Sequence, residues 1–139
     1  MSRPIRIGLW GLFVGYLLVL LRITVFRSDF GAHALGQDGQ IVWVPLVGLY
    51  GILQNSIPYF LYLFIGNLIW FVPFGFLLPL LTKTGKLVIL WGFLLSFCIE
   101  ALQFLFGTGV SETEDLILNT LGTAFGYGIL LLFQKRKHI

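Results

Sequence analysis

An all-α integral membrane protein, a bundle of four transmembrane helices, is the fold class predicted by three observations. The chain is 58% hydrophobic and only 11% charged, whereas a soluble domain carries about 25% charged residues, and its mean hydropathy is +0.94. Four apolar runs stand out, at 7–26, 58–81, 87–106 and 114–133. Each is long enough to cross a ~30 Å hydrocarbon core at ~1.5 Å per residue. The basic residues, finally, gather in alternate connections between the runs. With 139 residues in all, little length is left for a soluble domain, so residues 1–139 read as one membrane domain and the bundle itself must hold the function. Nothing forms the basic, aromatic-interleaved patch that nucleic acid requires. The single Cys98 excludes an internal disulfide or a cysteine metal cage, and reads as a small buried hydrophobe.

The first run follows Arg3 and Arg6. Ala32-His33-Ala34 resembles a leader cleavage site. The apolar run, however, exceeds the ~7–15 residues of a leader core, and Arg22, Arg27 and Asp29 intervene, so a retained span is expected. Residues 27–40, with Gly31, Gly36 and Gly39, read as a loop. The apolar stretch 41–53 is too short to span, and Pro45, Gly48 and Gly51 weaken it as a helix. Trp43 and Tyr50 suit the membrane interface, so an interfacial or re-entrant segment in the first outer loop is expected. Ser56 and Pro58 have the residue types of a helix start. The second run contains Asn67, and Pro73 is expected to kink it by removing a backbone bond. Lys83 and Lys86 lie in the next turn. With four spans, Arg3, Arg6, Lys83, Lys86, Lys135, Arg136 and Lys137 fall on one side, against Arg22 and Arg27 on the other. The positive-inside rule then makes both termini cytoplasmic in a multi-pass protein of the cell membrane.

Residues 96–126 hold four of the chain's six carboxylates. Ser96, Glu100 and Gln103 recur at i, i+4 and i+7, on one face of a helix. Asp115, Asn119, Gly122 and Gly126 do the same on the next. Glu100 lies about seven residues, hence ~10 Å, below the outer end of its helix. An ionisable group at that depth costs ~2.5–3.5 kcal/mol on insertion scales and is a functional hypothesis by default. Asn67 should lie at comparable depth, with Gln103 and Asn119 nearly level in an antiparallel hairpin. These side chains are therefore expected to line an outward-facing polar pocket, with Arg22 as a candidate counter-charge. The competing reading makes them interhelical glue, contributing ~0.6–2 kcal/mol each. Glu112 and Glu114 read as structural or solvated, since Ser111-x-x-Glu114 has capping-box spacing and acids favour a first turn. Gly122 and Gly126 permit close backbone approach, either between the third and fourth spans or in a homodimer. His33 and His138 would lie at opposite faces of the membrane, which excludes a Ser-His-Asp set and argues against zinc. No metal or other cofactor is expected; an all-oxygen divalent-cation site at Glu100, Asp115 and the amides is the minor alternative.

At these residues the sequence resembles the VanZ-like family of small bacterial membrane proteins, over most of 41–128. The resemblance is carried by GNLIWFVPFGFLLPLL at 66–81, by G-x-x-x-S-x-x-x-E-x-x-Q at Gly92, Ser96, Glu100 and Gln103, and by D-x-x-x-N-x-x-G-x-x-x-G-Y at Asp115, Asn119, Gly122, Gly126 and Tyr127. Gly109 stands where the family often has an arginine, with Glu112 and Glu114 at acidic positions. Val42-Trp43-Val44-Pro45-Leu46 replaces an Asn-Leu-Ile-Pro-Phe element.

The resemblance implies low-level resistance to glycopeptide and lipoglycopeptide antibiotics such as teicoplanin. Three functions follow as alternatives. A non-enzymatic module would engage membrane lipid, a lipid-linked cell-wall precursor or a partner protein through the pocket, touching the antibiotic only indirectly. An intramembrane enzyme would use Glu100 as general acid or base and Asp115 as base or metal ligand. A small transporter would pair two copies through Gly122 and Gly126.

Overall fold

The computed structural model describes residues 2–27, 30, 31, 35, 39–44 and 47–136. Helices α1 (Arg3–Thr24), α2 (Val47–Asn55), α3 (Ile57–Thr82), α4 (Val88–Phe106) and α5 (Thr113–Arg136) are joined by strands β1 (Gln40–Val42) and β2 (Val110–Glu112). Four helical stretches, α1, α3, α4 with the 3-10 turn before it, and α5, are long and apolar enough to cross a membrane, and the chain is a multi-pass membrane protein. The four predicted spans coincide with them to within a few residues. The Ala32-His33-Ala34 motif, Asp29, Lys137 and both histidines lie outside the described residues.

Local chemistry sets the helix ends. Pro4 sits in the first turn of α1, where its missing N–H costs nothing. Ser56 caps α3, its hydroxyl accepting from the Tyr59 N–H at 3.4 Å, with Pro58 just inside. Helix α3 runs unbroken through Pro73 and Pro79. The Tyr16 hydroxyl donates to the Trp70 carbonyl at 2.7 Å, tying α1 to α3 beside the turn that Pro73 weakens. Lys83 ends α3 in a left-handed conformation, its N–H bonded to the Pro79 carbonyl, and Gly107 ends α4 in the same way.

Stretch 41–53 resolves into β1 and α2, with Pro45 and Leu46 outside the described residues. Strand β1 pairs in parallel with β2, Ile41 opposite Ser111 and Val42 opposite Glu112. The Thr113 hydroxyl lies within hydrogen-bonding distance of the Val42 and Trp43 carbonyls, at 3.1 and 3.2 Å, and fastens this ribbon to the start of α5. The expected capping box at Ser111 does not form as drawn. Ser111 is a strand residue, and α5 opens at Thr113 with Glu114 and Asp115 in its first turn. Acids there still favour the helix dipole.

Helices α3 and α5 share the most extensive contact in the bundle. Small residues make it. A Cβ on Gly122 would fall on the Leu68 backbone, one on Gly126 on the Val72 backbone, and one on Gly75 on the Thr123 backbone. The glycine pair was expected to face the third span or a second copy. It is buried instead against the second span, so a single chain already occupies that face. The rest of the core forms two clusters. One joins Phe13, Phe74, Leu77, Leu81 and Val88 toward the lysine-bearing turn; the other joins Leu20, Val25, Phe71 and Ile99 toward the ribbon. Cys98, expected to be buried, is exposed on the outside of α4, because the inward stripe of that helix is Gly92, Ser96, Ile99 and Glu100 and Cys98 faces away from it.

Candidate functional site

A cavity of about 450 Å³ opens where α1 and α4 end and α3 and α5 begin, within reach of the ribbon and α2. Small-molecule sites occupy about 300–1,000 Å³. Asn67, Glu100, Gln103, Asp115 and Asn119 all line it. The buried stripe of α4, Gly92, Ser96, Ile99 and Glu100, turns Glu100 inward, where it is only 7% exposed. Its Oε2 accepts from the Glu112 backbone N–H at 3.0 Å. The ribbon thereby holds the carboxylate from above. Asn67 Nδ2 donates to Asp115 Oδ1, joining α3 to α5. Asn119 Nδ2 donates to Ser96 Oγ at 2.9 Å, and the Asn119 carbonyl accepts from the Thr123 hydroxyl at 3.0 Å. Ser96, fully buried, thus supports the wall from behind.

Gln103 Nε2 donates to the Thr24 carbonyl at 3.3 Å, while its Oε1 is buried without a partner among the described residues. An unsatisfied acceptor of this kind costs about 1–3 kcal/mol, which a donor placed in the cavity would relieve. Arg22 does not join the site; it is exposed and donates to the Phe26 carbonyl on its own side of α1. Arg27, one turn beyond, lines the cavity instead. Tyr59 and Glu112 also line it. The first was legible, since Tyr59, Leu63, Asn67 and Trp70 follow one helical face. Glu112 was not, because its place depends on the pairing of two remote strands. Gly109 lines the cavity too, and a Cβ there would lie 3.2 Å from Gln103 Nε2. Glu114, 2% exposed, is buried rather than solvated. Among the described residues no group of three or more His, Cys, Asp or Glu is arranged to hold a metal ion.

Glu112 lies outside the spans, and its carboxyl is pushed up from 4.5 to about 7, first by burial and then by the nearby Asp115 and Glu114 carboxylates. A carboxyl raised in the folded state favours folding below its ordinary value, and that contribution is lost as pH rises through the folded value. Wild-type protein in detergent should therefore melt progressively earlier between pH 4.5 and about 7, and Glu112→Gln should flatten part of that slope. Parallel slopes for the two proteins would show that Glu112 titrates as it does in the unfolded chain.

The chain is 37% identical over 76 residues to Protein VanZ of Enterococcus faecium, a match covering 53% of this chain and 47% of that protein. It thus spans about half the length of the curated relative it matches. No solved structure matches it. A family model described as VanZ/LLP1 matches residues 13–134, all but the ends of the bundle, and the chain belongs to that family.

Proposed function

We propose that the protein is a cell-membrane module whose cavity faces outward and engages the polar head group of a lipid-linked cell-wall precursor, lowering the binding of glycopeptide and lipoglycopeptide antibiotics such as teicoplanin. One observation carries the reading: Asn67, Glu100, Gln103, Asp115 and Asn119, drawn from three helices, converge on one cavity at one end of the bundle. The opposite end carries Arg3, Arg6, Lys83, Lys86, Lys135 and Arg136, and the positive-inside rule makes that end cytoplasmic. The wall also favours a class of head group. Carboxylates and an orphaned amide oxygen call for donors, such as sugar hydroxyls, amide N–H groups or an ammonium, and disfavour a phosphate deep inside. Arg27 at the wall is the group suited to a carboxylate on the head group.

Cells expressing Glu100→Gln should bind fluorescent teicoplanin at a level between the knockout and the wild type. The amide keeps the size and an acceptor for the Glu112 N–H, and loses only the ionisable group. Wild-type behaviour of the variant would remove the cavity from the mechanism. Complete loss at normal abundance would instead favour a second reading, an intramembrane enzyme acting on the same lipid-linked substrate. That reading has its own support in two carboxylates, Glu100 and Asp115, on one cavity, a pairing suited to general acid–base work. It requires changed lipid-intermediate profiles on knockout, which the binding module does not.

A further inference from the structure

A second, apolar groove adjoins the polar cavity. It has a volume of about 270 Å³ and runs between α4 and α5 beneath β1, walled by Ile41, Trp43, Phe97, Ala101, Phe104 and Leu116. Glu100 and Glu112 line both spaces, so the hydrogen bond from the Glu112 N–H to the Glu100 carboxylate stands at the boundary. The groove opens on the bundle's outside, where Phe97 is 56% and Trp43 75% exposed. Polar walls on one side of the boundary and hydrocarbon walls on the other match a single molecule that has both characters. From the two residues that the neighbouring spaces share, Glu100 and Glu112, we infer that the groove holds the hydrocarbon chain of the same lipid whose head group occupies the polar cavity, which therefore enters sideways from the bilayer. Water-filled apolar walls would be unfavourable; a chain lying along them remains in an apolar medium while its head crosses the Glu100–Glu112 boundary.

This inference rests on the proposed function and names how its ligand is held. The test uses full-length protein in phosphatidylcholine nanodiscs and two probes: a prenyl-diphosphate-linked disaccharide pentapeptide, and the same disaccharide pentapeptide without its chain. Ala101→Phe puts a ring into the groove and leaves the polar cavity's residues in place. It should weaken binding of the chain-bearing probe about tenfold, the equivalent of about two buried methylenes, and leave the chain-free probe unaffected. Comparing variants rather than probes cancels the enrichment of the chain-bearing probe in the bilayer. Leu94→Phe, in the separate groove bordered by Phe13, Trp91 and Cys98, should change neither affinity. Should Ala101→Phe fail to fold, Trp43→Ala strips one groove wall at an exposed position and reads the same difference. Equal weakening of both probes, or of neither, overturns the groove assignment and leaves the head-group site standing. Failure of wild-type protein to bind either probe overturns the proposed function, and the groove assignment with it.

Discussion

Gly122→Val should remove most of the folded protein, with Gly126→Val close behind. The Leu68 backbone already occupies the place where a side chain at Gly122 would begin, and the Val72 and Phe76 backbones do the same for Gly126. Overpacking a core typically costs about 1–3 kcal/mol when side chains can shift. Backbone cannot rotate away, so the two helices must separate along the most extensive contact in the bundle. Gly75, which meets Thr123 from the opposite side, blocks a compensating slide. Gly128→Ala and Gly15→Ala are the controls. Beyond its own stretch of helix backbone, neither has an atom within 4 Å of the added carbon, and alanine is favoured over glycine within a helix by up to about 1 kcal/mol. Fluorescence-detected gel filtration with a thermal ramp should find the controls at or above the wild-type midpoint and Gly122→Val largely aggregated. The same experiment separates the two uses of a small-residue stripe. If the stripe joined two copies, Gly122→Val would leave a folded monomer eluting later; loss of the monomer itself is the outcome that close packing within the chain requires.

That case also marks what the sequence could and could not reveal. Hydropathy located the four spans because length against bilayer thickness is a strong constraint. Spacing placed Glu100 with Gln103 and Asp115 with Asn119 because a helix fixes which residues share a face. Depth counting brought Asn67 to their level. Spacing does not say which neighbour a face meets, so it leaves the glycines between the third span and a second copy, when they serve the second span. The parallel ribbon joins three-residue strands about 70 residues apart, too short for any period and too remote for any turn signal. Everything that depends on the ribbon was therefore hidden: the inward place of Glu112, the backbone N–H that holds Glu100, and the displacement of Ser111 from the expected cap. The exchange of Arg22 for Arg27 has a simpler cause. At a helix end a long side chain bonds the nearest free carbonyl, and for Arg22 that is Phe26.

The second large effect lies in the pair that closes the cavity between α3 and α5. Asn67→Leu should destabilise the protein clearly, because Asp115 then loses the donor that reaches it from α3. A hydrogen bond contributes about 0.5–1.5 kcal/mol in proteins generally, and a buried partner left without it costs about 1–3 kcal/mol. Asp115→Leu should be milder, since the stranded group is then an amide rather than an ionisable carboxyl. The double variant, Asn67→Leu with Asp115→Leu, should be more stable than Asn67→Leu alone. Apolar groups of similar size then face each other where a broken polar pair stood, a replacement that can be nearly neutral. Coupling between contacting residues of about 0.5–3 kcal/mol lies within reach of thermal melts in detergent. Function should not follow stability. The proposed head-group site needs the polar wall itself, so cells expressing the double variant should bind teicoplanin as the knockout does, despite the variant's recovered fold. If the double variant behaves as wild type at the surface, Asn67 and Asp115 are interhelical glue and the ligand contacts must lie with Glu100, Gln103 and Asn119. Strictly additive melting shifts would mean that the two side chains do not meet. Recovery of stability without recovery of function is the result that requires a binding site rather than a seam.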